Sequence, residues 1–332
     1  MNEATLDVPE AKVRSGVAKV PLAKVLLALI RREFWEHRQL WMVPALLSIL
    51  AFIGASFIRI VADNTGLHLE PFPWKGADAL TPEQSNVGVA MLMLLDWVMT
   101  VPLYVASSIV IFFYLLQCLF DERKDRSILF WKSLPVSDGT TIASKLLVGI
   151  VVVPLGVFLL ALLDHLLISL MVSTRVAVGP QHHYPLLWDT LAWMKTEAFM
   201  LMCVLATMLW VFPIAAYLLL VSAWARRNVF LWAILPPLII SLVEKALGTH
   251  FLNYIFFRSI PGLWGGWGKW GEGVPDSVIT TNDGVKLPYI PSIFDDVNLG
   301  VFFSNSRLWI GLVVGAVLTY CAVRIRRYRD DT

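Results

Sequence analysis

Six long apolar stretches dominate this sequence, and they constrain its fold more than any other feature. A helix that crosses the roughly 30 Å hydrocarbon layer of a membrane needs about 20 mainly apolar residues. Stretches of this kind lie at residues 40–60, 98–120, 146–172, 198–223, 229–246 and 308–323. The fifth is short and contains Pro236 and Pro237, which membrane helices tolerate at a kink. The sequence therefore predicts an all-α membrane protein with six transmembrane helices.

The overall composition agrees with a chain that faces lipid over much of its surface. Hydrophobic residues make up 57% of the 332 residues and charged residues 16%, against about 45–50% and about 25% in soluble domains. This balance excludes a disordered chain, a disulfide scaffold and a nucleic-acid binder. Cys118, Cys203 and Cys321 lie far apart within apolar stretches, which indicates small buried side chains and neither a disulfide framework nor a metal site.

The distribution of basic residues predicts the orientation of the chain. Lysines and arginines are concentrated before the first stretch, between the second and third, directly after the fourth and after the last. The segments on the other side are longer and hold fewer of them. Because basic loops stay in the cytoplasm, we expect both termini there, with residues 1–39 as an N-terminal segment and residues 324–332 as a basic tail.

The longest predicted external segment, residues 248–307, has a pattern of its own. An apolar run at 251–257 leads into a stretch rich in glycine and tryptophan, which predicts a re-entrant or interfacial segment and no seventh crossing. Within it, Gly266, Gly268 and Gly271 match the GxGxxG pattern. The strand and helix that a nucleotide site needs around that pattern are not predicted here, so we interpret it as an aromatic turn.

Motifs for catalysis or metal binding are weak. The sequence contains no GxxxxGK[ST] motif, so the chain cannot itself be a P-loop ATPase. His182 and His183 are adjacent in a predicted loop without a further ligand pattern, which indicates solvated side chains and no metal site. No Ser/His/Asp arrangement is recognisable either, so we expect no enzymatic activity.

A few ionisable residues fall at membrane depth, where they are costly unless they face the bundle interior or a cavity. Asp164 and His165, in the third stretch, form the candidate intramembrane polar site. Asp96 and Glu197 lie near the ends of predicted spans. Two interpretations stay open for all four: a functional role such as a proton relay, or side chains that reach the headgroups.

The most informative segment is the predicted cytoplasmic loop at residues 121–145. It begins with the charged residues Asp121, Glu122, Arg123, Lys124 and Arg126. An apolar ridge follows, formed by Ile128, Leu129, Phe130 and Leu134. Pro135 ends this short amphipathic segment, and Ser137 can cap the next helix. A helix resting on the membrane surface would also explain this pattern.

Residues 123–137, leading into residues 142–146, resemble the loop between the second and third helices of ABC-2 type transporter permeases. That family has a charged cluster, a Leu-Pro-Val/Ile-Ser stretch and a lysine that opens the third helix. The resemblance extends to six spans, cytoplasmic termini and a sizeable last external loop. It implies that residues 40–323 form an ABC-2 type transmembrane domain.

The same resemblance implies the partners and the location. The chain would be the permease subunit of a bacterial ABC exporter in the cytoplasmic (inner) membrane, surrounded by lipid and paired with a second permease chain. Two copies of a separate ATP-binding subunit would bind ATP and Mg, so this chain would bind no cofactor itself. Residues 18–38 would be an interfacial connecting helix, which fits the apolar stripe of Leu22, Val25, Leu26, Leu29 and Ile30.

The resemblance also implies that the loop contacts the ATPase. Its coupling residues would be Asp121, Glu122, Arg123, Lys124, Arg126, Ile128, Leu129, Phe130, Leu134 and Pro135. In this hypothesis the apolar residues fill a cleft and the charges flank it. The alternatives are an ion-coupled secondary transporter, an intramembrane enzyme and a non-transporting membrane assembly protein.

Overall fold

Helices form most of the described part of this computed structural model. The structure describes residues 21–63, 66–71, 82–133, 136–177, 189–249, 278–280, 286–288 and 298–328. In chain order the helices are α1 (Leu22–Glu36), α2 (Gln39–Ala55), α3 (Pro82–Lys124), α4 (Ile128–Ser133), α5 (Asp138–Leu147), α6 (Val153–Ala177), α7 (Thr190–Trp224), α8 (Val229–Leu247), α9 (Leu299–Ser304) and α10 (Ser306–Tyr328). A π-helix, Val148–Val152, joins α5 to α6 without a break.

Five segments are long and apolar enough to cross a membrane. They are Leu92–Lys124, Asp138–Val172, Thr190–Trp224, Val229–Leu247 and Ser306–Tyr328. A sixth candidate is α1 together with α2, which meet at a bend of 65°. The predicted class, an all-α multi-pass membrane protein, is therefore confirmed.

Several helices extend beyond the predicted spans because polar caps and amphipathic turns continue them. The second span was predicted at 98–120, but α3 starts at Pro82, within the segment between the first two predicted spans that was expected to be external. The third was predicted at 146–172, but α5 already starts at Asp138, since the Ser137 hydroxyl accepts a hydrogen bond from the Thr140 backbone. Asp189 caps α7 in the same way, and the helix starts at Thr190, eight residues before the predicted start. Hydropathy alone misses such ends.

Two short β-hairpins accompany the helices in the described ranges. β1 (Ile58–Asp63) pairs antiparallel with β2 (Gly66–Pro71), and β3 (Val278–Thr280) pairs with β4 (Lys286–Pro288). The first predicted span, 40–60, is therefore too long. Helix α2 ends at Ala55, and the last residues of the predicted span belong to β1. The predicted re-entrant run at 251–257, the glycine motif and the histidine pair lie outside the described residues.

Helix α7 lies at the centre of the bundle and packs against α3, α6 and α10. The fully buried residues of the bundle core include Leu103 and Leu115 of α3 and Leu219 of α7. The contact with α10 is close at Gly315, where an added Cβ would lie 2.4 Å from a ring carbon of Phe212. This position therefore requires glycine, because a side chain would force the two helices apart.

The carboxyl-terminal residues differ from the predicted basic tail. Helix α10 continues through Arg324 and Arg326 to Tyr328, so residues 324–328 extend the last helix. Arg326 is buried and not solvated. Its burial is compensated by acidic partners from distant parts of the chain, which brings several charged groups together at one end of the bundle.

Candidate functional site

A buried ionic network joins four helices at one end of the bundle. Its members are Glu33 of α1, Glu122 of α3, Lys145 of α5 and Arg326 of α10. We call this group the ionic network, and the end of the bundle that holds it the network end. All four side chains are less than 9% exposed, and Lys145 is fully buried. Buried charges of this kind persist only when paired and hydrogen-bonded.

Lys145 is the centre of this network. Its Nζ lies 2.8 Å from Glu33 Oε1 and 3.0 Å from Glu33 Oε2. The same Nζ lies 3.1 Å from Glu122 Oε1. Tyr114 donates its hydroxyl to Glu33 Oε2 over 2.9 Å. All three ammonium protons can therefore be used, and Glu33 is held from two sides.

Arg326 of α10 connects the last helix to the network. Its Nη1 lies 2.7 Å from Glu122 Oε2, and its Nε lies 3.1 Å from Asp138 Oδ1 at the start of α5. Arg32 adds a third cation, with Nη2 at 3.3 Å from Glu122 Oε1. Glu122 thus receives donors from three different helices. The network fixes α1, α3, α5 and α10 relative to one another at the network end.

The short helix α4 lies directly beside this network. Ile128 is buried and lines a narrow crevice with Leu119, Ala223 and Ile325. The Arg32 guanidinium lies 3.2 Å from the centre of the Trp131 ring, which is a close cation–π contact. Phe130 faces away from the bundle and is 61% exposed. Helix α4 is thus held by one side and presents an aromatic ring on the other.

These contacts change the predicted roles of several coupling residues. Glu122 and Arg123 were predicted as charged flanks of a docking helix, and the structure places both side chains in contacts within the bundle. Glu122 is buried in the network, and Arg123 donates to the backbone oxygens of Ser222 and Ala225 at 2.6 and 2.8 Å, at the end of α7. Ile128 was predicted on the docking ridge but packs inward.

The remaining coupling residues divide by exposure. Asp121 is partly buried, while Lys124, Arg126 and Phe130 are exposed. Arg126, two residues after the end of α3, adopts a left-handed backbone conformation with φ of 56°. The side chain of Leu129 and both Leu134 and Pro135 lie outside the described residues. Among the predicted coupling residues that the structure describes, Phe130 is therefore the apolar side chain that a partner could reach.

Glu33, Glu36 and His37 are the described residues whose ligand atoms approach one another closely enough for a metal ion. Both Glu33 oxygens already bind Lys145, and Glu36 binds Arg32 at 2.7 Å. His37 lies at the bend between α1 and α2, with its Nε2 3.9 Å from Glu33 Oε2. The group is better described as part of the ion pairs than as a metal site.

A second polar cluster lies farther along the bundle, away from the network end. His165 of α6 contacts Glu197 of α7, with 2.5 Å between Nδ1 and Oε1, and its Nε2 lies 3.3 Å from Thr100 Oγ1 of α3. Ser169 donates to Asp96 Oδ2 over 2.7 Å. We call Asp96, His165 and Glu197 the polar cluster. All three are buried.

The candidate pair Asp164 and His165 does not form one site. Asp164 accepts a hydrogen bond from Ser48 of α2 over 2.9 Å, whereas His165 faces α3 and α7. Adjacent residues on a helix point about 100° apart, so they contact different neighbours. The alternative that Asp96 and Glu197 reach the headgroups is wrong as well, since both are buried.

A cavity of about 220 Å³ lies between the two clusters. It is lined mainly by apolar side chains of α3, the π-helix, α6 and α7, with Tyr104, Ser107, Ser108 and Thr207 as polar groups. The π-helix contributes Gly149, where an added Cβ would lie 2.9 Å from Leu115. Such a pocket suits a small, mostly apolar ligand.

Sequence reasoning missed Glu33, Tyr114 and Arg326. Glu33 offers one signal in retrospect, because it follows Leu29 by four residues and so continues the apolar stripe of α1. No local pattern marks Arg326 as the partner of Glu122, since 204 residues separate them. No family model, no curated protein and no solved structure matches this chain.

Proposed function

We propose that this chain is the permease subunit of an ABC-2 type exporter, driven by two copies of a separate ATP-binding subunit that carries ATP and Mg. In this proposal it has six spans, with α1 as the interfacial connecting helix, and pairs with a second permease chain. The network end and both termini face the cytoplasm of a bacterium. The observation that carries the proposal is that α4 contacts the ionic network on one side and exposes Phe130 on the other.

The exposed face of α4 supports a contact with another protein. Interfaces depend mostly on a few aromatic or apolar anchors, and Phe130 is such a side chain at 61% exposure. Phe130 packs edge-to-face against Trp131, with 4.9 Å between ring centres. Trp131 in turn packs against the Arg32 guanidinium, so the ring that contacts Phe130 is itself held by α1.

The ionic network supports transmission from that contact into the bundle. Glu122 lies six residues before the start of α4, and Lys145 lies in α5 after it. Both bind partners on other helices, Glu33 on α1 and Arg326 on α10. A movement of α4 would therefore be passed to α1, α3, α5 and α10 together. A permease subunit without its own ATPase requires such a connection to its ATP-binding partner.

The experiment replaces Phe130 by Asp and Lys124 by Ala as a matched control in the same loop. The chain is purified in mild detergent with the soluble P-loop ATPase that accompanies it. Loss of an aromatic anchor costs about 2 kcal/mol or more, so we expect ATPase binding to weaken about 30-fold or more for Phe130→Asp. The control changes it little, because exposed charges contribute little.

Two results would contradict the proposal. One is the failure of any P-loop ATPase to co-purify with the wild-type chain. The other is unchanged ATPase binding and turnover for Phe130→Asp when the membranes hold the same amount of the variant as of the wild type. A membrane-surface role for α4 predicts the second result.

An ion-coupled secondary transporter is the second candidate, and one observation favours it. The polar cluster holds two carboxylates and an imidazole inside the bundle, where ion-coupled transporters keep their ion sites. Uptake or efflux by the purified chain in liposomes, driven by a proton gradient without any ATPase, would support this candidate over the first.

A further inference from the structure

The polar cluster combines three ionisable side chains from three helices with little access to water. Asp96, His165 and Glu197 are 3%, 0% and 7% exposed. Asp96 lies within electrostatic range of His165 and Glu197. We propose that these residues form a proton-binding site that takes up and releases one proton.

Thr100 determines which nitrogen of His165 carries hydrogen. Its hydroxyl has a single proton, and it donates to the backbone oxygens of Asp96 and Trp97, at 3.0 and 3.1 Å. Thr100 Oγ1 can then only accept from His165 Nε2, which lies 3.3 Å away. On this basis we assign the imidazole a proton at Nε2.

The contact between His165 and Glu197 needs a second proton. Nδ1 and Oε1 are 2.5 Å apart, a distance at which two lone pairs would repel each other. A proton must lie between them, as an imidazolium paired with a carboxylate or as a neutral imidazole accepting from a carboxylic acid. In either form the pair has no net charge.

Asp96 is the group left to bind the exchangeable proton. Its Oδ2 accepts from Ser169, while its Oδ1, like Oε2 of Glu197, has no hydrogen-bond partner among the described residues. Among the side chains that the structure describes, His165 is the basic group that pairs with Glu197, and no lysine or arginine pairs with either carboxylate. With Asp96 ionised the cluster has one net negative charge in an apolar bundle, and one proton neutralises it.

The other groups around the cluster do not supply that neutralisation. Tyr104 of α3 is the nearby phenol, and its hydroxyl has no hydrogen-bond partner among the described residues. Asp164 of α6 is bound by Ser48 of α2, which is uncharged. A metal ion fits less well than a proton, because the described ligand atoms of the polar cluster do not converge as closely as those of the Glu33 group.

The test is infrared spectroscopy of the purified chain in liposomes as the pH is changed. Protonation of a buried carboxylate gives a carbonyl stretch that an ionised carboxylate lacks. We expect wild type to gain such a band on acidification and Asp96→Asn to lose that band. Asp164→Asn, the matched control on α6, keeps it.

A second variant keeps the proposal testable where Asp96→Asn does not fold. Ser169→Ala leaves the carboxyl in place and removes the hydrogen bond to its ionised form, so the midpoint of the same band moves up by about one pH unit. An unchanged midpoint would overturn the assignment to Asp96. So would a band that persists in Asp96→Asn, or a titration that requires Na⁺ and disappears in choline buffer.

Discussion

Replacing Lys145 by Met tests whether the ionic network stabilises the bundle. Methionine keeps an unbranched apolar stem and removes the ammonium, which lies within 3.1 Å of three carboxylate oxygens. Glu33 then keeps Tyr114 as its donor but loses its cation. Removing one partner of a buried ion pair costs about 3–5 kcal/mol, and we expect the free energy of unfolding to fall by that amount.

The assay is equilibrium unfolding in mixed detergent micelles, followed by tryptophan fluorescence. Lys124→Met, at an exposed position near the end of α3, is the control and changes the free energy of unfolding by no more than about 0.5 kcal/mol. If Lys145→Met unfolds at the same detergent composition as this control, the network does not contribute to stability and our reasoning is wrong.

The double variant Glu33→Gln/Lys145→Met separates the ion pair from general packing effects. Glutamine removes the unpaired charge that Lys145→Met leaves buried, so the double variant is less destabilised than the sum of the single changes. We expect a coupling energy of about 2 kcal/mol between the two positions. A coupling energy near zero would show that the pair is not the cause.

Three further predictions concern topology, assembly and packing. Single cysteines introduced in a cysteine-free background should react with an impermeant reagent in intact cells at Thr280 but not at Asp125, and the reverse labelling would contradict the proposed orientation. The particle in mild detergent should contain two permease chains, which its mass checks, and one copy under every condition tested would count against pairing. Gly315→Ala should destabilise the bundle by about 1–3 kcal/mol, since its Cβ would overlap Phe212, whereas Gly311→Ala should be near neutral in the same unfolding assay.

The sequence predicts the spanning helices well because the apolar side chains that face lipid or neighbouring helices are local signals. Helix ends are predicted less well. Thr190 and Asp138 start helices in polar sequence, where a single side-chain cap decides the boundary. The loop at 121–145 is found from its charge cluster, and the structure places α4 within it.

The partners of the charged residues could not be predicted in the same way. Glu122 looks like a solvated flank in sequence, and only the fold brings Lys145 and Arg326 to it. Asp164 and His165 look like one site because they are adjacent, yet a helix directs them to Ser48 and Glu197. Long-range pairing depends on helix packing, which local patterns do not record.

The π-helix at Val148–Val152 sets the angle between the two charged clusters on one span. Lys145 precedes the π-helix and His165 follows it. The wider turn therefore determines the direction in which the side chains after Val152 point relative to Lys145. Each residue of an α-helix advances the side-chain direction by about 100°. If this turn were wound as a regular α-helix with every residue retained, the side chains beyond it would rotate by about 100°, and His165 would turn away from Glu197 while Lys145 stays in place.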